Sequence, residues 1–170
     1  IFNSADISPL NLNIIQFDLT KPYKKLVESI TDDKLNKMYA PNSLPMIVCN
    51  LALHYLVDTK KNMENIAELI NYYIKKNGEF LFTIMNKSKI DTLLKNNKKW
   101  EIMKDNDTLY SIEYSDTTHK KISLYLPCSH NKMEETLIDL YELDKVFKRH
   151  NIIRTETESF GKYMDLFQKK

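Results

Sequence analysis

Within the stretch MIVCNLALHYL, residues 46–56, stand an amide, an imidazole and a phenol: Asn50, His54 and Tyr55. An amide orients a polar ligand through paired donors and acceptors. An imidazole gives or takes a proton near neutral pH, and a phenol offers a flat apolar wall ending in one hydroxyl. All three follow an apolar run that reads as a buried strand, so they leave it at its carboxyl end. Asp18 closes an earlier apolar run and Asn86 follows a later one. Each has an ordinary reading too. Asp18 in FDLTKP suits a cap for the helix entered at Pro22. Asn50 suits backbone groups at a strand end, and a lone histidine is more often a hydrogen-bonded structural residue than a catalyst. What favours a binding site is convergence: in an open parallel sheet, ligands lie outside the carboxyl ends of the strands.

The elements that must position these groups follow from hydrophobic periodicity. LNIIQFDL (Leu12 to Leu19), LPMIVCNL and KKNGEFLFTIM are continuous apolar runs, as in strands of a parallel sheet covered on both faces. Between them, KPYKKLVESI places Tyr23, Leu26, Val27 and Ile30 at helical spacing, and Met63 to Ile74 carries an amphipathic stripe. Asn77-Gly78 is expected to stop that helix with a left-handed terminus. Strand alternating with helix implies right-handed βαβ crossovers. After the short helix in SKIDTLLKNN, the pattern changes. WEIMKD, TLYSIEY and KKISLYLP alternate apolar and polar residues like antiparallel strands, forming an insertion over residues 97–128. A second long helix is expected from Glu134 to about His150, then a last strand in NIIRTETES and a closing helix in FGKYMDLF.

The totals narrow the function classes. A chain of 170 residues with 42% hydrophobic and 28% charged content suits one globular domain with a real core. Net charge is +2, too near balance for a strong field drawing in nucleic acid. Local clusters, Lys95, Lys98 and Lys99, then Lys120 and Lys121, are solvated faces or phosphate contacts. Cys49 and Cys128 form no CxxC pair, so two reduced thiols are expected. These with His54, His119, His130 and His150 do not make a zinc spacing, and no metal is expected. No stretch approaches a membrane span or a signal peptide. The first residue is Ile1, not Met, and the chain reads as an excised piece of something longer.

The block CNLALHYLVDTKKNMENIAELINYYIKKNGEFLFTIMN resembles the centre of mRNA cap (guanine-N7) methyltransferases. There the family pattern is a strand, then Gln-Phe-x-x-His-Tyr, a helix, a Gly-Gly turn and a strand ending in Thr-Thr-Pro-Asn. Here the frame reads Asn50-Leu51-Ala52-Leu53-His54-Tyr55, Asn77-Gly78-Glu79-Phe80 and Thr83-Ile84-Met85-Asn86. MEETLIDLYELDKVFKRHNI is similar to the family stretch carrying a cap-contacting Glu, by position Glu135. The resemblance covers roughly Leu12 to Phe167, and its wording is nearest to capping enzymes of large DNA viruses.

The resemblance implies a Rossmann-like class I fold in a single truncated methyltransferase domain, residues 1–170, missing its first strands and last strand. It implies an enzyme that transfers methyl from S-adenosylmethionine to N7 of the cap guanine. No residue would act by direct chemistry. His54, Tyr55 and Glu135 would hold the guanine. Asp18, Asn50, Leu51 and Asp6 would hold the methyl donor, Asp18 at the adenine amino group, Asn50 near the methionine end and Asp6 at the ribose. Lys87 and Lys89 are candidates for the triphosphate bridge. Implied partners are the capped mRNA 5′ end, GpppN, and other capping-enzyme domains or a stimulatory subunit, with no membrane. The location would be intracellular: cytoplasm or virion if viral, nucleus if cellular. The departures are specific. The family's glycine-rich donor loop has no counterpart, because Gly78 and Gly161 are the only glycines. Leu51 and Met85 replace Phe and Pro, and Glu134 adjoins Glu135. The alternative is a catalytically degenerate methyltransferase-fold subunit that binds or stimulates a capping enzyme.

Overall fold

A computed structural model describes residues 14–129 and 131–162. Two short helices come first, α1 (Tyr23–Ser29) and α2 (Asp33–Met38), the latter capped by the Asp32 carboxylate accepting from Leu35 N. Then follow β1 (Leu44–Cys49), α3 (Leu53–Leu56), α4 (Lys60–Tyr73) and β2 (Ile74–Phe82), with β1 and β2 paired parallel. Thr59 starts α4, its hydroxyl accepting from Asn62 N at 3.1 Å. The apolar stripe expected along α4 is buried at Ile66, Ala67, Leu69, Ile70 and Tyr73.

One face of the β1–β2 pair, Ile47, Cys49, Phe80 and Phe82, packs on a core of Leu53, Val57, Ile66, Ile70, Leu143 and Phe147. Each fully buried aliphatic side chain there contributes about 1.5–3 kcal/mol. The other face, Met46, Val48 and Leu81, is exposed. The mixed α/β class with a parallel sheet is as expected, and among the described residues that sheet holds two strands. Of the strand expected over Leu12–Leu19, residues 14–19 form no ladder with any described residue, and Ile14 is 84% exposed. Local β propensity does not make a strand where no neighbouring edge accepts its backbone groups.

Asn77-Gly78 also acts otherwise than expected. The helix already ends at Tyr73, and Asn77, at φ 61°, sits inside β2 where the register jumps from Leu44↔Ile74 to Met46↔Glu79. The extra residues bulge out. Gly78 is required there because a Cβ would stand 2.7 Å from Ile74 Cγ1, 2.9 Å from Lys75 O and 3.0 Å from Pro45 O.

After α5 (Lys87–Leu94), capped by Asn86, comes a four-stranded antiparallel sheet. Its strands are β3 (Lys99–Lys104), β4 (Asp107–Tyr114), β5 (Lys121–Tyr125) and β6 (Met133–Thr136), in that spatial order. The expected antiparallel unit is present and takes in β6, beyond residue 128. The helix expected from Glu134 therefore starts later, as α6 (Leu140–Arg149). Pairing of Met133–Thr136 with Lys121–Leu124 claims the MEET stretch, and Asp139 caps the helix by accepting from Tyr141 N and Glu142 N. NIIRTETES is not a strand. Arg154 clamps it to α6 through a bidentate pair with Asp144, at 2.6–3.2 Å. Residues 160–162 are helical, and the rest of the expected closing helix lies outside the described residues.

Candidate functional site at the exit of the parallel strands

The chain leaves β1 through a tight, cross-braced corner. Thr83, just past β2, donates its backbone N–H to Cys49 O at 3.2 Å and its hydroxyl to Asn50 Oδ1 at 2.5 Å. The same hydroxyl oxygen accepts from Leu51 N at 2.6 Å. Leu51 adopts φ 50°, a left-handed conformation that costs a non-glycine residue about 1 kcal/mol or more. The brace from Thr83 offsets that strain and leaves Asn50 and Leu51 exposed at the mouth. Burial pushes the nearby Cys49 thiol up, so it stays protonated.

α3 then divides its side chains between inside and outside. Leu53 and Val57 are essentially fully buried and anchor it to the core. That anchoring turns His54 inward, at 6% exposure, and Tyr55 outward, with ring centroids 3.9 Å apart and planes tilted 49°. Glu135 reaches the same place from β6. Its neighbour Glu134 points the opposite way, as alternation on a strand demands, and pairs with Lys121 at 2.6 Å. The Lys121 ammonium holds the Glu134 carboxyl below the usual range. Glu135, expected in a helical first turn, is instead on a strand, with Oε2 3.7 Å from His54 Nε2 and its side chain 11% exposed.

That separation is too long for a hydrogen bond. Among the described residues His54 Nε2 is a buried polar atom with no hydrogen-bond partner, a state that costs about 1–3 kcal/mol. A carboxylate, an unpaired ring nitrogen and an exposed aromatic face thus meet on one spot. Such a group can take a flat ligand edge that carries both donors and an acceptor, with the phenol ring against its face.

The other expected site residues are not brought here. Asp18 lies in an exposed turn, its Oδ1 accepting from Thr20 N at 3.0 Å and from the Thr20 hydroxyl at 2.7 Å. The Thr20 hydroxyl holds its carboxyl below the ordinary range. Asp6 lies outside the described residues. Asn86 is spent on capping α5, accepting from Lys89 N at 3.1 Å, and Lys87 pairs with Asp91 at 2.8 Å. Sequence reasoning missed Thr83 as the brace, although it opens the Thr-Ile-Met-Asn run at the β2 exit. No three His, Cys, Asp or Glu side chains among the described residues are grouped to hold a metal ion. No described helix is long and apolar enough to cross a membrane.

No family model matches the chain. Over 93% of its length it is 26% identical to the mRNA-capping enzyme of African swine fever virus, isolate Pig/Kenya/KEN-50/1950. The mRNA-capping enzyme of isolate Tick/South Africa/Pretoriuskop Pr4/1996 matches at the same identity and coverage. The similarity to viral capping enzymes expected from the motifs is borne out. The chain spans about a fifth, 19%, of the length of these relatives. Among solved structures, an S-adenosylmethionine-dependent methyltransferase from Clostridium acetobutylicum ATCC 824 aligns at TM-score 0.42 and 18% identity. That alignment covers 63% of this chain and 46% of the other.

Proposed function

We propose that this chain is a methyltransferase segment of an mRNA-capping enzyme that presents N7 of the cap guanine for methylation. The observation that carries this reading is the buried, unpartnered His54 Nε2 facing Glu135 across 3.7 Å beside the Tyr55 ring. Similarity to viral capping enzymes over nearly the whole chain supports the substrate class.

Guanine fits the polar edge of this group. Glu135 accepts from the guanine N1–H and N2–H, His54 Nε2 meets a polar atom of the same ring, and Tyr55 lies against its face. N7 has a free lone pair at neutral pH, so no general base is needed and positioning does most of the work. Positive charge grows on the purine as N7 is alkylated, so the Glu135 carboxylate interacts more strongly in the transition state than in the ground state. S-adenosylmethionine, when bound, supplies an electrophilic methyl carbon. Asn50 and Leu51 fit one flank of it: both are exposed at the β1 exit, and the Asn50 Nδ2 group donates to nothing among the described residues. Asp18 fits less well, because Thr20 occupies its carboxylate.

The test is methyl transfer to GpppA and to plain GTP by the wild type, Glu135→Gln and Glu135→Ala. A charge-assisted pair of this kind is worth about 1.5–3 kcal/mol, so kcat/KM for GpppA should fall roughly 10- to 150-fold. Equal turnover with and without Glu135 removes the cap assignment. A second reading, a segment that binds the cap without holding the donor, is favoured by the glycines. Gly78 serves a strand bulge and Gly161 lies near the end of the described chain, so neither forms a donor loop. Calorimetric titration with the demethylated donor separates the two: heat of binding supports the enzyme, and its absence the binding segment.

A further inference from the structure

A second histidine–tyrosine pair lies on the antiparallel sheet. The His119 ring stacks on Tyr114 with centroids 4.0 Å apart and planes 9° from parallel. His119 is exposed in the turn between β4 and β5, so one ring face is covered by Tyr114 and the other is open. Around it lies an open hollow of about 450 Å³ lined by Lys98, Tyr114, Ser115, Asp116, Thr117 and His119.

The platform is built firmly from below. The Tyr114 hydroxyl donates to Asp91 Oδ1 at 2.7 Å, and Lys87 satisfies the same carboxylate at 2.8 Å and 2.9 Å. The Asp116 carboxylate folds the turn, accepting from Lys120 N at 3.0 Å, Lys121 N at 3.1 Å and the Thr118 hydroxyl. Both acids are therefore spent on local partners, whereas Lys98 makes no ion pair among the described residues. What the hollow offers a ligand is an aromatic face, the Thr117 hydroxyl and a free ammonium. That is the chemistry of single-stranded nucleic-acid binding, in which bases stack on aromatic rings and cations meet the backbone.

Its location relative to the first site gives direction. Tyr114 pairs with Ile122, and Ile122 pairs with Glu135, so the three project from one face of the sheet in a row. Two strand spacings put Tyr114 about 10 Å from Glu135, with the fully buried Ile122 between them, so an RNA that joins the two sites passes around this covered row.

We propose that the His119–Tyr114 hollow is a stacking site for a nucleotide of single-stranded RNA downstream of the cap, with Lys98 at its phosphate. This rests on the reading of the chain as acting on an RNA 5′ end, but it uses none of the residues that carry that reading.

The experiment measures two affinities on the same protein: fluorescence anisotropy with a short labelled uncapped oligoribonucleotide, and calorimetry with GpppA. His119→Ala should weaken oligoribonucleotide binding roughly ten- to hundred-fold and leave GpppA affinity unchanged. His119→Trp should restore it, which a mere loss of fold would not. Lys98→Ala should lower the affinity and flatten its salt dependence by about one unit of slope. Oligoribonucleotide binding that is absent in the wild type, or equal in wild type and His119→Ala, overturns the proposal whatever GpppA does. Binding that depends on His119 in a protein that ignores GpppA upholds the stacking site and removes the cap reading instead.

Discussion

His54, Tyr55 and Glu135 at the β1 exit, and His119, Tyr114 and Asp91 around α5, each join a histidine, a tyrosine and a carboxylate. In the second cluster the acid is saturated: Tyr114 and Lys87 both donate to Asp91. Burial pushes the Asp91 carboxyl up, but those two donors outweigh it and hold the group below its ordinary range. The histidine is exposed and stacks one ring face on Tyr114. In the first cluster the histidine is buried with an unpaired nitrogen, and the acid stands just beyond hydrogen-bond distance. Similar side chains thus yield one group whose unmet polar capacity is buried and one whose acid is satisfied. The first can read the edge of a ring; the second presents a face to stack against.

The comparison breaks most visibly at its anchor. Leu53→Ala should cost about 2–5 kcal/mol in denaturant unfolding, because Leu53 is fully buried and holds α3, hence His54 and Tyr55, against the core. A loss below 1 kcal/mol would mean the first cluster is not rigidly placed. Next in size, Tyr55→Ala should weaken GpppA binding by about 1–3 kcal/mol in calorimetry through loss of the stacking wall. The same truncation should spare oligoribonucleotide binding at His119.

Tyr114→Phe should cost about 1 kcal/mol by removing the donor to Asp91, and its signature lies in pH. Burial, reinforced by the hydrogen bond to Asp91, raises the Tyr114 phenol from its ordinary 10 to about 12. A raised value favours the protonated form in the folded state. The associated stability is therefore fully present below about pH 10 and is lost as pH rises from 10 towards 12. Unfolding free energy measured across that window should fall for the wild type, and the fall due to this group should vanish in Tyr114→Phe. Asp91 works oppositely, its contribution being lost only as pH falls below the ordinary carboxylate range. The smallest effect is Tyr55→Phe, within about 0.5 kcal/mol of wild-type stability, since the exposed hydroxyl bonds to nothing among the described residues.

Much of the fold was legible where local signal and tertiary demand agree. α1, the amphipathic α4, the apolar β1 and β2, and the alternating β3, β4 and β5 all lie where periodicity put them. The failures share one cause, the competition for partners. MEET has a helical neighbour in sequence yet joins β5, because an edge strand was free to accept it. LNIIQFDL has strand composition but no partner for its described residues, and NIIRTETES is held by an arginine clamp instead of a ladder. In the site, His54, Tyr55 and Glu135 were named from their types and motif and do meet, whereas Asp18 was named equally and is engaged by its own turn. Thr83 was passed over because a threonine after a strand carries no signal until its cross-strand partners are known.

By itself the sequence determined the periodicities, the polar residues at strand ends and the motif that points to capping enzymes, since all of these are encoded within a few consecutive residues. Only the tertiary structure decided which of two adjacent glutamates faces His54, that its ring nitrogen is left without a partner, and that Tyr114 of a second tyrosine–histidine pair shares a sheet face with Glu135. Those outcomes depend on strand register and on what lies opposite, and neither is encoded in the few residues around each position.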